Sequence, residues 1–295
     1  GPYYENPSAK LWDGVYKNNY KKVEEAFKEG ADVNMKNDNG VWFLLVASGH
    51  GNARMVNLLL EKGIDVNITD EFDYNNTALF IAAINGKKNV VELLLKKGAD
   101  INKANSDGET ILMGAINYNE EEVIEILLTY DEGGVRVDVN ARNNDGETAL
   151  IRAVENGNSE IVTTLVEAGA DMNIRDNYGN TPLIRASMIG EEYILEVLLD
   201  SESDVNATNN AGETALIAAI RLGKSVIVEW LLDLGADVNA TNNAGETALI
   251  VASRLGHYDI VEMLLASEEE EDGTYMYVYE TDVNVVDATG NTALT

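Results

Sequence analysis

The chain has 295 residues, 45% of them hydrophobic, with 51 acidic against 21 basic side chains and a formal net charge of −30. A field of that sign repels a nucleic-acid backbone, and no apolar run approaches the roughly 18 residues that a membrane helix needs, so neither nucleic acid nor membrane insertion is expected. Cysteine is absent, which removes disulfides, thiol catalysis and cysteine-based zinc sites together but leaves the compartment open; a cytoplasmic monomer is the working expectation.

In chain order, residues 1–7 read as a tail, and Gly1-Pro2 without an initiating Met looks like the scar of a cleaved tag. From residue 8 onward the chain repeats itself. A landmark Asp-(Val/Ile/Met)-Asn places asparagines at 34, 67, 102, 140, 173, 206, 239 and 284, separated by 33, 35, 38, 33, 33, 33 and 45 residues. A fixed period of this length marks a stacked solenoid, in which each unit buries its apolar face only against its neighbours. The expectation is one continuous domain over 8–295, with repeats near 8–39, 40–74, 75–107, 108–145, 146–178, 179–211, 212–244 and 245–289 and a partial repeat at 290–295.

Individual repeats depart from the pattern. The second carries Trp42-Phe43 where others have Thr followed by Ala, Ile or Pro. The fourth holds a five-residue insertion around Tyr130–Val137. The sixth has Glu202 where its neighbours have a closing glycine, which should weaken that helix end. The seventh shows the physics most plainly. Thr214 is placed to cap a helix starting at Ala215, Leu216, Ala219 and Ile220 recur on one helical face, and Gly223 breaks the helix. Ile227, Val228, Leu231 and Leu232 then form the buried face of a second helix, closed by Gly235 in a left-handed cap. The eighth carries the largest insertion, twelve extra residues within an acidic run from Glu268 to Glu280. Gly290–Thr295 opens another repeat and stops, so the natural chain is expected to continue.

The run AGETALI occurs at 211–217 and again at 244–250, and DGETALI at 145–151. A Gly-x-Thr-(Pro/Ala)-Leu opening, a glycine between the helices and a closing Gly-Ala-Asp-Val-Asn resemble the ankyrin repeat, with eight copies in register. The resemblance implies an all-α repeat solenoid, ankyrin helix-turn-helix plus β-hairpin units stacked into a curved superhelix. It also implies a non-catalytic scaffold whose partner docks on the concave surface of hairpin tips and inner helices. Where that family commonly has His after Thr-Pro-Leu, this chain has Phe80, Met113, Ile151, Ile184, Ile217 and Ile250.

Carried over by position, the expected partner-binding residues are Tyr74, Tyr118, Arg152, Tyr178, Arg185, Met188, Ile189, Arg221, Leu222, Arg254 and Leu255. Tyrosine and arginine are enriched at interface hot spots, and large apolar groups stand here on a face that a solenoid need not bury. Four of the eight arginines fall on inner helices of four successive repeats, which suggests a protein or peptide partner with an acidic segment. Local pairing with Glu147, Glu155, Glu213 and Glu246 is the competing reading. In the acidic insertion, Tyr275, Tyr277 and Tyr279 alternate as a β-extension with one aromatic face would, an accessory contact. No catalytic constellation is legible. His257 follows an interhelical glycine, His50 has no triad partners, and no metal site or cofactor is assigned. The expected function is a protein-interaction scaffold. The alternatives are an inhibitor or immunity-type protein blocking a basic enzyme or toxin, and a substrate-recruiting segment of a larger effector.

Overall fold

The computed structural model describes residues 6–37, 39–269 and 275–295, with side chains described outside 267–277. They form two compact units, residues 1–144 and 145–295. In the first unit the helices come in pairs: α1 (Pro7–Tyr16) with α2 (Tyr20–Lys28), α3 (Phe43–His50) with α4 (Ala53–Glu61), α5 (Ala78–Ile84) with α6 (Lys88–Lys96) and α7 (Ile111–Asn117) with α8 (Glu121–Thr129). A two-stranded hairpin of β1 (Thr69–Asp70) and β2 (Asn76–Thr77) precedes α5, with Thr69 opposite Thr77. In the second unit α9 (Ala149–Glu155) pairs with α10 (Ser159–Glu167), α11 (Pro182–Ile189) with α12 (Glu192–Leu199), α13 (Ala215–Arg221) with α14 (Ser225–Asp233) and α15 (Ala248–Leu255) with α16 (Tyr258–Leu264). A second hairpin, β3 (Ser267–Glu269) with β4 (Tyr275–Tyr277), follows α16.

Helices of seven to ten residues are too short to persist alone in water, where roughly 12–15 are needed, so packing between repeats must hold them. Local chemistry fixes where they start. The hydroxyls of Thr77, Thr110, Thr148, Thr181, Thr214 and Thr247 each accept from the backbone N–H three residues on, satisfying an otherwise orphaned donor. Pro182 occupies the first turn of α11, where no amide hydrogen is needed.

The inner helices are more buried than the 3.6-residue pattern suggests. In α13 every residue from Ala215 to Ile220 is buried, not only Leu216, Ala219 and Ile220. The reason is geometric: α13 packs between α11 and α15 while also leaning on α14, so three sides are covered. Alanines at 218 and 219 let those neighbours come close. The outer helix α14 keeps a single apolar face of Ile227, Val228, Leu231 and Leu232.

The repeated Asp-Val-Asn proves to be a stitch between repeats. Asn206 Oδ1 accepts from Asp237 N at 2.7 Å while its Nδ2 donates to the Gly235 carbonyl at 3.1 Å, so one side chain joins both ends of the next closing turn. Asn173 does the same to Asp204 and Glu202, and Asn239 to Asp282 and Glu280. The turn tips are joined by backbone bonds, Asn177 N to Asp145 O, Asn210 N to Tyr178 O and Asn243 N to Ala211 O, all 2.9–3.0 Å. These contacts dictate the turn glycine. Gly212 has φ +73°, and a Cβ there would lie 2.9 Å from Asn243 N in the next repeat.

Glu202 does not take the left-handed conformation of Gly235 and its equivalents. Helix α12 ends at Leu199, a residue earlier than α14 does in its own repeat, and the Ser201 hydroxyl donates to the Val197 carbonyl at 2.8 Å. In the first unit, a mid-helix glycine has a packing cause: a Cβ on Gly114 would meet the Phe80 ring at 2.9 Å.

Candidate docking face

In the second unit the inner helices carry a ladder of ion pairs. Arg152 Nη2 lies 2.8 Å from Glu147. Arg185 reaches Asp176, whose carboxylate is buried, at 2.8 Å through Nη2 and Glu155 at 3.4 Å through Nη1. Arg221 donates through Nε to Glu213 at 2.8 Å and lies 3.5 Å from Glu246, which also takes Arg254 at 2.9 Å. Arg221 and Arg254 thus share Glu246 across a repeat boundary. Arg152, Arg221 and Arg254 each meet the glutamate of their own opening turn, whereas Arg185, whose opening turn carries Asn180, takes Asp176 and reaches back to Glu155 of the preceding repeat.

The ladder contains five carboxylates for four guanidiniums. Glu155 is pushed above the usual carboxylate range, foremost by burial and next by the neighbouring Glu147 charge, although Arg185 and Arg152 pull the other way. Glu246 is held below that range, foremost by the Asn242 amide donating to it, with Arg254 and Arg221 assisting against its own burial. Of the two readings of the arginines open in the sequence, the geometry realises local pairing.

The apolar members of the stripe have no such partners. Tyr178 is 69% exposed, Leu222 44%, and Ile189 and Leu255 each 41%, while Met188 is half-buried. Their exposure is forced by position. Tyr178 sits at a turn tip whose backbone is pinned on both sides, N–H to Asp176 Oδ1 and C=O to Asn210 N. Ile189 and Leu255 are the last residues of α11 and α15 and Leu222 is the C-cap of α13, with its side chain near Gly190 of the preceding repeat.

In the first unit Tyr74 and Tyr118 are likewise exposed. Tyr74 adopts φ +52°, and Asn75, at the position where other repeats have the turn glycine, +56°, both left-handed backbone. For a residue with a bulky side chain that conformation costs about 1–2 kcal/mol. The Tyr74 carbonyl accepts from Ser106 N at 2.7 Å, which helps hold it there. Tyr118 is the C-cap of α7, followed by Asn119 at φ +54°.

The acidic insertion departs from the aromatic β-extension expected of it. Tyr275 and Tyr277 lie in β4, but their side chains fall outside the described residues. The strand stops at Tyr277, and Tyr279 turns away to place its hydroxyl 3.3 Å from Asp233 Oδ1 on α14. Burial, then the Asp233 charge, push the Tyr279 phenol up.

Sequence reasoning missed an aromatic surface in the first unit. Trp12 stacks on Phe43 at 3.9 Å between centroids, Tyr16 adjoins Trp12 and His50, and Lys36 stands 4.7 Å over the Trp42 ring. Beside it lies a cavity of about 550 Å³ lined by Trp12, Tyr16, Met35 and Lys36 among others. The signal was Trp42-Phe43, noted as a departure but not connected to Trp12 one repeat earlier. The His257 ring lies against Gly223, where a Cβ would meet it at 2.8 Å, an inter-repeat packing role. Among the described residues no group of three or more His, Asp or Glu could hold a metal ion, and no helix is long and apolar enough to cross a membrane.

Comparison with known proteins agrees with this geometry. The family described as "Ankyrin repeats (3 copies)" matches residues 11–105, 102–176, 134–209 and 183–275. The human mitochondrial disaggregase is 39% identical over 67 residues, 23% of this chain, and the Bos taurus protein 37% over 73 residues, 24% of this chain. The matched segments span 10% and 11% of those two proteins. Among solved structures, the ankyrin repeat domain of Bcl-3, a member of the IkappaB protein family, is similar with a TM-score of 0.68 and 25% identity. That similarity covers 77% of this chain and 99% of the other.

Proposed function

Because the chain belongs to the ankyrin repeat family, a family of non-catalytic binding scaffolds, we propose that its partner docks on the turn tips and inner-helix ends of the second unit. Tyr178, Met188, Ile189, Leu222 and Leu255 are the anchors. The observation that carries this reading is the exposure of large apolar side chains on successive repeats beside charges that are already paired. Desolvated aromatic and aliphatic anchors dominate interface energy, whereas exposed ion pairs contribute about 0–1 kcal/mol each.

The same observation argues against a strongly acidic docking segment. Such a segment would have to displace Glu147, Asp176, Glu213 or Glu246 from the guanidiniums. It would also face a unit with 28 acidic and six basic residues, net −22. Arg152, Arg185, Arg221 and Arg254 then act as a pre-ordered rim of donors, not as a bare basic ridge. The protein works as a cytoplasmic monomer in this reading, with Tyr279 marking an accessory edge near α14.

The test is affinity capture from the native cell with the intact chain and with Tyr178→Ser, Ile189→Ser, Leu222→Ser and Leu255→Ser combined. These positions are exposed, so the unfolding temperature should hold while capture falls at least tenfold. Undiminished capture by the folded quadruple variant refutes the proposal. A second reading, an inhibitor of a basic enzyme, is favoured by the net −22, since charge of that size speeds encounter with a cation. It requires an association rate that drops steeply with salt.

A further inference from the structure

The outer helices of the second unit carry a feature that the inner-helix face does not involve. Between the C-terminal ends of α12 and α14 lies a cavity of about 270 Å³ lined by Glu196, Leu199, Asp200, Trp230, Asp233 and Leu234. Drug-sized ligands occupy pockets of roughly 300–1,000 Å³, so this one suits a single long side chain. Its walls are of two kinds. Leu199, Trp230 and Leu234 supply apolar surface, and Leu234 is half exposed as the C-cap of α14. Glu196, Asp200 and Asp233 supply three carboxylates at the rim.

Among the described residues these carboxylates lack cations: Asp233 receives only the Tyr279 hydroxyl, and neither the Glu196 nor the Asp200 carboxylate has a protein partner. From Ser201 to Thr295 the bases are Arg221, Lys224 and Arg254. Arg221 and Arg254 are held in the inner-helix ladder. Lys224 caps the opposite end of α14, six residues before Trp230, roughly 9 Å along the axis, with its stem against Gly190. The cavity also sits at two helix C-termini, the negative ends of the helix dipoles, which favour a cation. The Trp230 indole N–H meets no acceptor among the described residues, and an indole is the best aromatic partner for a cation.

From the charge complementarity of this cavity we propose that it binds an arginine side chain on a basic segment of a partner protein. The aliphatic stem lies against Leu199 and Leu234, and the guanidinium sits by Trp230 with its five donors shared among Glu196, Asp200 and Asp233. Arginine fits better than lysine here because its planar fork serves several carboxylates and stacks on aromatic rings. The site is independent of the docking face proposed above and stands if that face proves idle.

The test uses the intact chain and a five-residue peptide with one central arginine flanked by leucines, followed by NMR of the indole N–H resonances. The chain has three tryptophans, and Trp230→Phe identifies the relevant peak. At low salt the Trp230 peak alone should shift, with affinity at least tenfold higher than for the same peptide carrying citrulline, the uncharged isostere. Combining Glu196→Gln, Asp200→Asn and Asp233→Asn, all at exposed positions, should reduce affinity to the citrulline level. The quadruple inner-face variant should bind the peptide normally, which separates this site from the docking face. Equal affinity for the citrulline peptide, an unaffected triple variant, or no shift at millimolar peptide overturns the proposal.

Discussion

The two units are built from the same repeat yet differ in charge and regularity. The first has 15 basic and 23 acidic residues, net −8; the second has six and 28, net −22. In the first, landmark asparagines are separated by 33, 35 and 38 residues, and turn positions are filled by Tyr74 and Asn75 in left-handed backbone. In the second, the inner helices begin at Ala149, Pro182, Ala215 and Ala248, three steps of 33 residues, with the one long landmark interval, 45 residues, falling after the last of them; the arginine ladder follows from that register. Exact repetition lets a charged group be shared across a boundary, as Glu246 is. In the first unit the boundary between the first two repeats is filled instead by an aromatic contact, Trp12 on Phe43.

The largest expected effect comes from breaking the boundary in the regular unit. Gly212→Ala places a Cβ against Asn243 N and forces a left-handed alanine. It should cost about 2–4 kcal/mol in urea unfolding, from backbone strain of roughly 1–2 kcal/mol plus displacement of the next turn. Gly169→Ala, also left-handed at φ +88° but with nothing within 4 Å, should cost only the strain. Equal losses at the two sites would remove close approach as the reason for the turn glycine.

Next is the asparagine stitch. Asn206→Ala loses both inter-repeat bonds and should cost about 1–2 kcal/mol, while Asn206→Asp keeps the acceptor and should lose about half. In the first unit Gly114→Ala should cost a similar amount alone and less when combined with Phe80→Ile, which removes the ring contact but leaves the one to Ile84 Cγ2 at 3.0 Å. A double-variant cycle reads the difference.

The smallest effects concern the ladder. Arg221→Gln should change stability by about 1 kcal/mol, since the guanidinium lies at the surface and Glu246 keeps Arg254 and Asn242, while the less exposed Glu213 loses its ion pair. Glu246 has a folded-state pKa below its unfolded value, so its contribution is present at neutral pH and lost as acid titrates it through the folded value. Glu155 is shifted upward, so its ionised form opposes folding at neutral pH, and that penalty fades as pH falls through its raised value. Glu155→Gln should therefore leave thermal stability at pH 7 unchanged or raised, and a clear drop would contradict the assigned cause.

Much of the fold was legible because its determinants are local. Threonine caps, turn glycines and the apolar face of α14 are written within a few residues of where they act. What escaped were relations between repeats. The inner helix α13 looked one-faced because a single repeat does not display the neighbours that cover its other sides. Asn206 looked like a landmark because its partners are 29 and 31 residues away. At the candidate face, the exposure of Tyr178 and Leu222 followed from position, but the state of the arginines depended on distances of a few ångströms that spacing cannot supply. The Trp230 cavity was invisible for the same reason, being assembled from two helix ends.

The most direct test of the central claim is hydrogen exchange of the intact chain with and without its captured partner. Docking on the second unit predicts slowed exchange in peptides spanning the Tyr178 turn and the ends of α11, α13 and α15. Exchange over α10 and the buried parts of the outer helices should be unchanged. Protection confined to the first unit, or none at the Tyr178 turn and these inner-helix ends, would contradict the account.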